Sequence, residues 1–198
     1  MSPEWSSKAL AEITSVAKQH STDPTAPLLT QLSTIPLDAW ERDFEILELC
    51  LKDSIRLQLL GAAFRRNIGG RDVAVGNEVI PNGAFVTYHL GDIHANPAIY
   101  RDPEKWDPSR YLPDRAEDKK KQYAYAGWGA ARHPCLGMRF AKLESNIITA
   151  FFLATFEYSV CGADGEDLAS LPPIDMNSWA AAKPSSPVFL KYRLREKQ

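Results

Sequence analysis

Residues 128–137 read Trp128-Gly129-Ala130-Ala131-Arg132-His133-Pro134-Cys135-Leu136-Gly137. This loop of small residues leads into residues 136–156, where apolar side chains recur at helical spacing. The pattern predicts that Cys135 stands at the start of a long helix. A sulfur atom there meets unpaired backbone N–H groups and the positive end of the helix dipole, which favour thiolate over thiol. Because Pro134 has no N–H, we expect Leu136, Gly137 and the following residue to supply the donors. Such a thiolate is a strong ligand for iron.

The loop alone leaves other interpretations open. Cys135 is compatible with a free buried cysteine, the commonest fate of a lone cysteine. His133 and Cys135 are also compatible with half of a metal site, although no second Cys or His pair stands at zinc-like spacing. A nucleophilic cysteine needs a base, and three histidines that the sequence cannot place in space are candidates: His20, His89 and His94.

The composition indicates a globular protein. The chain has 198 residues, 44% of them apolar, with a formal net charge of −2. We expect no nucleic-acid partner, which would need a clustered excess of Lys and Arg. The three cysteines are odd in number and far apart, so we expect no disulfide framework. No window reaches the ~18 apolar residues of a membrane span, and we expect the chain to lack an anchor.

The remaining pattern predicts a mainly α-helical fold with a small antiparallel β-sheet. A capping serine, a first-turn proline and an acid predict a helix over 3–19, and Asp38 with Glu41 forms a capping box for a second helix over 38–58. Short β-type segments between turn signals predict one small sheet over 62–90. Prolines and charges predict an irregular segment over 97–127. The loop over 128–137 and the helix over 136–156 follow, and strand-like residues predict a closing hairpin over 172–194.

Several ordered segments resemble the cytochrome P450 family. The family's cysteine signature runs aromatic, Gly, any, Gly, any, basic, any, Cys, any, Gly. It is matched at Trp128, Gly129, His133, Cys135 and Gly137, and it is not matched at Ala131, where Gly is usual, or at Pro134, where proline is unusual. The segment 135–144 is most similar to fungal members.

Two upstream segments carry the same resemblance. Asp53-Ser54-Ile55-Arg56 is similar to the family's Glu-x-x-Arg, with an acid one methylene shorter, and Trp106-Asp107-Pro108-Ser109-Arg110-Tyr111 is similar to its aromatic-x-Pro-x-Arg-aromatic element. The resemblance covers nearly the whole chain but less than half of a family member. It implies the C-terminal part of the cytochrome P450 fold, with the N-terminal half absent.

The resemblance implies roles for individual residues. Cys135 becomes the axial ligand of a haem b iron, Trp128 shields its sulfur, and the loop residues Gly129, Leu136 and Gly137 adjoin the cofactor. His133 donates to a haem propionate, and either Arg65 or Arg66 contributes a second propionate contact. Asp53, Arg56 and Arg110 form a buried cluster that fixes the loop below the haem, where the residues alone would indicate an ordinary surface pair. The segments 59–64 and 177–182 resemble stretches that reach over the haem toward substrate.

The implied activity is that of a haem-thiolate monooxygenase, which inserts one oxygen atom from O₂ into a lipophilic substrate. Electrons would come from NADPH-cytochrome P450 reductase, which would dock near Arg139, Lys142 and the run Lys119–Lys121. The complete family member is expected at the cytoplasmic face of the endoplasmic reticulum membrane. Two alternatives stay open: a truncated, inactive product with weak or no haem binding, and a P450 isomerase or dehydratase that needs no reductase.

Overall fold

The structure, a computed structural model, describes residues 2–59, 61–175 and 181–195. Within these residues it contains six α-helices: α1 (Pro3–His20), α2 (Leu28–Ser33), α3 (Leu37–Arg42), α4 (Glu45–Gln58), α5 (Leu90–His94) and α6 (Met138–Thr155). The same residues form ten short strands: β1 (Ala62–Arg66), β2 (Val73–Val75), β3 (Glu78–Ile80), β4 (Phe85–His89), β5 (Gly129–Ala130), β6 (His133–Pro134), β7 (Phe156–Cys161), β8 (Ile174–Asp175), β9 (Lys183–Pro184) and β10 (Phe189–Leu194).

The main core lies between the long helices. Helix α1 begins where Ser2 accepts a hydrogen bond from the Trp5 backbone N–H, and its buried face includes Ile13, which is fully enclosed. Helix α6 contributes Leu153 to the same core. This packing of helical apolar faces forms the larger of the two hydrophobic cores among the described residues, in agreement with the predicted fold class.

The predicted helix over 38–58 is wrong as a single element, because it divides into α3 and α4. Phe44 has non-helical dihedrals (φ −111°, ψ 61°), is 1% exposed and stacks on the Trp40 ring at a centroid distance of 4.5 Å. Burying this ring breaks the helix. The capping box is also wrong, since Asp38 lies inside the first turn of α3 and pairs with Arg42.

Helix α4 is capped by a side chain from another helix. The Glu12 carboxylate of α1 accepts hydrogen bonds from the backbone N–H groups of Ile46 at 2.7 Å and Leu47 at 3.1 Å. These are two of the N–H groups that a helix start leaves without a partner. Burial raises the pKa of Glu12, although the two backbone hydrogen bonds act in the opposite direction.

The predicted single sheet over 62–90 consists of two separate antiparallel pairs, β1 with β4 and β2 with β3. The hairpin predicted over 172–194 is wrong where it includes β10, although β8 and β9 within that range do pair antiparallel. Strand β10 pairs with β7, which directly follows α6, and Tyr192 packs against Phe156 at 5.1 Å between ring centroids. Strands β8 and β9 pair with each other. The pairing of β10 with β7 joins two segments that lie far apart in the chain, which local residue patterns do not reveal.

The irregular segment between α5 and the cysteine loop is packed by aromatic rings. It contains 3-10 turns at Pro108–Tyr111 and Glu117–Lys119, and a small second core forms around Tyr100 and Tyr111. The buried Tyr100 hydroxyl donates to the Ala124 carbonyl at 2.9 Å. Among the described residues, no helix combines the length and apolar character that membrane crossing requires.

Candidate functional site

The cysteine loop contains a short β-hairpin that is closed by backbone hydrogen bonds. Strand β5 pairs with β6, with Ala130 opposite His133, and the Cys135 N–H donates to the Trp128 carbonyl at 2.6 Å. Gly129 has φ +80°, and a Cβ atom there would lie 2.3 Å from the His133 carbonyl oxygen. Only glycine therefore fits this position without displacing the backbone of the loop.

Ala131 stands where the family signature usually has glycine. It is the first of two residues that join β5 to β6, and its φ of +52° lies in the left-handed region. Two-residue hairpin turns favour glycine where φ is positive. The chain therefore keeps the backbone conformation that glycine favours while it carries an alanine.

Cys135 is a free, exposed cysteine, in contrast to the buried Cys50 and Cys161. Its neighbour Leu136 is 99% exposed and Phe140 is 68% exposed, so the sulfur stands among uncovered apolar side chains. Helix α6 begins at Met138 rather than at residue 136, because Gly137 takes the cap position. The Met138 N–H donates to the Cys135 carbonyl at 3.3 Å, so a tight turn connects the cysteine to the helix.

A buried cluster of charged side chains lies beneath the irregular segment. The Asp53 carboxylate accepts hydrogen bonds from Arg56 Nε at 2.7 Å and from the Tyr111 hydroxyl at 2.8 Å, and its second oxygen accepts the Asp107 N–H at 2.6 Å. Arg110 Nε lies 3.1 Å from the same carboxylate. The structure thus brings Asp53, Arg56 and Arg110 together, and the shorter acid reaches both arginines.

Each arginine of this cluster also holds the backbone of the irregular segment. Arg56 donates to the carbonyls of His94 at 2.8 Å and Pro103 at 2.6 Å. Both guanidinium groups donate to the Lys105 carbonyl, and both lie over the Tyr100 ring. The cluster therefore fixes a chain segment that has almost no regular secondary structure of its own.

Sequence reasoning missed Glu117, which completes the cluster. Arg110 donates to Glu117 at 2.8 Å, and Glu117 is 3% exposed. One buried carboxylate against two buried guanidiniums would leave a net positive charge, whereas Glu117 makes the group neutral. Burial raises the pKa of Glu117, but hydrogen bonds from Arg115 and Arg110 outweigh that effect and hold its pKa below the usual value. Because the sequence does not show which charges are buried, no sequence pattern indicated Glu117.

The two candidate propionate contacts have different surroundings. Arg65 and Arg66 are consecutive on β1, so their side chains point to opposite faces. Arg66 donates to the Gly83 carbonyl at 3.0 Å and lies over the Phe85 ring, whereas Arg65 donates to the carbonyl of its neighbour Phe64. The Arg66 side chain is therefore held by protein contacts more distant in the chain than those of Arg65. His133 is exposed on β6.

The two segments predicted to approach substrate lie side by side where they are described. Leu59 forms an antiparallel bridge with Ala181, and the Ala182 N–H donates to the Gln58 carbonyl at 2.7 Å. Residues 177–180 of the second segment lie outside the described residues. Phe64, at the end of the first segment, is 60% exposed.

The histidines considered as bases for Cys135 have other partners. His20 pairs with Asp43 at 2.8 Å and His89 with Asp92 at 3.3 Å, while His94 is buried and bonded to the backbone. Within residues 2–59, 61–175 and 181–195, no three His, Cys, Asp or Glu side chains gather as metal ligands.

The basic residues considered for reductase docking are partly neutralised. Arg139 donates to both Glu41 carboxylate oxygens, at 2.6 and 2.9 Å, and Lys142 pairs with Glu48. Lys119, Lys120 and Lys121 are exposed. The positive charge of α6 is therefore smaller than its sequence suggests.

The chain belongs to the cytochrome P450 family, whose family model matches residues 2–191. It is 43% identical over 195 residues to the cytochrome P450 monooxygenase AacuE of Aspergillus aculeatus, covering 96% of this chain and 38% of that protein. It is 40% identical to the cytochrome P450 monooxygenase nsrP of Aspergillus novofumigatus, covering 82% of this chain and 32% of that protein. The chain thus spans 32–38% of the length of these fungal relatives.

A solved structure with the same fold is retinoic acid-bound cyanobacterial CYP120A1. The match has a TM-score of 0.67 at 21% identity and covers 96% of this chain and 39% of that one. At this identity the likeness concerns the fold, and it agrees with the predicted C-terminal portion of a P450.

Proposed function

We propose that the chain supplies the cysteine-ligand side of a haem-thiolate monooxygenase, with Cys135 as the axial ligand of haem b. The observation that carries this proposal is the exposed Cys135 sulfur at the end of a loop whose backbone is closed by hydrogen bonds. A free cysteine held for packing alone is normally buried, as Cys50 and Cys161 are. An exposed cysteine near exposed apolar side chains is consistent with a bound ligand that covers the sulfur and those side chains.

The residues present fit a haem group chemically. The macrocycle is flat and apolar with an acidic edge, and the loop offers a soft sulfur donor beside the exposed Leu136 and Phe140. Trp128 is half-buried next to the loop, and His133 and Arg65 are exposed polar groups that would serve the propionates. We assign the second propionate contact to Arg65, because Arg66 is held by Gly83 and Phe85.

When bound, thiolate-ligated haem supplies the chemistry that activates O₂ for transfer of one oxygen atom to an organic substrate. The residues of this chain have supporting tasks. Gly129 and Trp128 hold the backbone that presents Cys135. The bridged segments at Leu59 and Ala181 would form one wall of a site for a lipophilic substrate.

NADPH-cytochrome P450 reductase is the proposed electron donor, and the cytoplasmic face of the endoplasmic reticulum membrane is the proposed location. Names of the fungal relatives as monooxygenases support this function. Because the chain spans only 38% of AacuE, the activity is proposed for the protein in which this portion operates with the remainder of the fold.

Turnover separates the proposed activity from the alternatives. The haem-loaded protein is incubated with a lipophilic fungal extract, labelled dioxygen, NADPH and reductase. Products that gain one labelled oxygen atom only when reductase is present support a monooxygenase. Products that form without reductase and without label would indicate an isomerase or dehydratase. Haem loading without any product, in protein that accepts electrons from the reductase, would contradict both activities.

A further inference from the structure

His94 occupies a buried position between the charged cluster and the cysteine loop. It is the last residue of α5 and is 1% exposed. Its ring stacks on Tyr125 with centroids 5.4 Å apart and an angle of 27° between the planes. Among the described residues its ring contacts Tyr125 and Ala126, neither of which is assigned to the haem site, so its buried polar ring needs a separate explanation.

The hydrogen bonds of His94 define its tautomer. The Ala126 backbone N–H donates to His94 Nε2 at 3.1 Å. An N–H group can only donate, so Nε2 carries no proton and the neutral ring carries its proton on Nδ1. Nδ1 is buried without a hydrogen-bond partner in the described structure. The ring therefore leaves one buried nitrogen unpaired, and among the described residues its hydrogen bond is the one that Nε2 accepts from the backbone.

The backbone of His94 makes a second connection, to the cluster. Its carbonyl accepts a hydrogen bond from Arg56 Nη1 at 2.8 Å. One residue thus joins the cluster through its main chain and the segment before Cys135 through its side chain. The neutral state of the ring is also favoured, since burial and the nearby Arg56 charge lower the pKa of His94 to about 4.

Ala126 is directly connected to the cysteine loop. Its carbonyl accepts the Gly129 N–H at 3.0 Å, and Gly129 begins β5. The Trp128 carbonyl between them accepts the Cys135 N–H at 2.6 Å. The position of Ala126 therefore sets where the turn that carries Cys135 begins.

We propose that His94 is a positioning residue for Cys135: Nε2 holds Ala126 and thereby orients the loop that presents the sulfur to its ligand. The importance of this role for haem rests on the proposed function, whereas the effect on the loop does not. A different role, in which His94 only fills space beside Tyr125, makes opposite predictions for substitutions.

Three variants separate the two roles. His94→Gln keeps an acceptor at about the reach of Nε2, His94→Asn keeps a polar amide that is too short, and His94→Phe keeps the ring and its stacking but has no acceptor. Hydrogen exchange of the Ala126, Gly129 and Cys135 amides reports on the loop, and the amides of α4 serve as the internal control. We expect His94→Phe and His94→Asn to lower loop protection about tenfold or more and His94→Gln to retain it.

The experiment tests the proposal even if one variant does not fold. Loop protection that is unchanged in His94→Phe, or lost in His94→Gln while α4 stays protected, overturns it. If His94→Phe does not fold, unchanged loop protection in His94→Asn overturns it equally. These measurements need no haem, so they remain decisive if the haem proposal fails. In the haem-loaded protein, the thiolate-type carbon monoxide band should weaken in His94→Phe and be rescued in His94→Gln.

Discussion

Arg56 Nε donates to Asp53 Oδ1 at 2.7 Å within a single helix, and the two side chains are only 1% and 0% exposed. An acid and an arginine three residues apart on a helix usually form a solvated surface pair of little energetic value. Here the irregular segment covers them, so the pair holds two parts of the fold together. Removing Arg56 would leave the buried cluster with one uncompensated negative charge.

Arg56→Ala is therefore expected to lower the free energy of unfolding by about 3–5 kcal/mol. Urea denaturation measures the loss. Arg42→Ala provides the control, because Arg42 also pairs with an acid of its own helix, Asp38 four residues earlier, and these side chains are 66% and 70% exposed. Its cost should stay within about 0.5 kcal/mol. Similar losses of unfolding free energy in the two variants would show that the buried pair stabilises the fold no more than an exposed pair does.

Glu117→Gln tests the charge balance of the cluster. The substitution keeps the size of the side chain but leaves Arg56 and Arg110 with Asp53 as their only buried acid. We expect a loss of about 2–4 kcal/mol in the free energy of unfolding, measured in the same way. Glu104→Gln is the matched control, because Glu104 is exposed. Equal stability of the two variants would show that Glu117 is not needed as a counter-charge.

Gly129 and Gly165 have the same φ of +80°. Comparing alanine substitutions at the two positions therefore separates the cost of backbone strain from the cost of a steric clash. A Cβ atom at Gly165 would meet nothing within 4 Å, whereas at Gly129 it would lie 2.3 Å from a backbone oxygen. Gly165→Ala should cost about 1–2 kcal/mol in the free energy of unfolding. Gly129→Ala should cost at least about 1 kcal/mol more. Equal thermal unfolding of the two variants would indicate that the turn around Gly129 is loose.

Ala131→Gly restores the family residue at the left-handed position. Relief of the strained φ is worth about 1–2 kcal/mol, and the greater freedom of glycine in the unfolded chain offsets about 0.4–1 kcal/mol. We expect a net gain of about 0.5–1 kcal/mol, visible as a raised denaturation midpoint. Ala130→Gly, on the neighbouring strand residue, should be destabilising. A loss of stability in Ala131→Gly would contradict the account of this position.

His94 predicts a specific dependence of stability on pH. Burial and the Arg56 charge lower its pKa from 6.5 to about 4 in the folded protein. The unfolded chain therefore takes up this proton first, and about 3 kcal/mol of stability is lost as the pH falls from 6.5 to about 4. Unfolding measured across this range should be less pH-dependent in His94→Gln. Identical slopes would show that His94 does not titrate in this way.

The sequence predicted those features that depend on neighbouring residues. Ser2 and Pro3 marked the start of α1, and the resemblance named Asp53, Arg56 and Arg110, which the structure brings together. Features that depend on packing between residues far apart in the chain could not be predicted. Stacking of Phe44 on Trp40 divides a predicted helix, and Glu12 caps α4 from another helix. Glu117 gave no local pattern, because its role arises only where Arg110 is buried beside it.

The central claim, that Cys135 is the thiolate ligand of haem iron, is tested most directly by the reduced carbon monoxide spectrum. The protein is reconstituted with haem in any longer polypeptide that carries this chain. We expect a thiolate-type, red-shifted Soret band that disappears in Cys135→Ala. The band should persist in Cys50→Ala, since Cys50 is buried and burial raises the pKa of its thiol to about 12. Absence of the band in the haem-loaded protein, or its survival in Cys135→Ala, would contradict the claim.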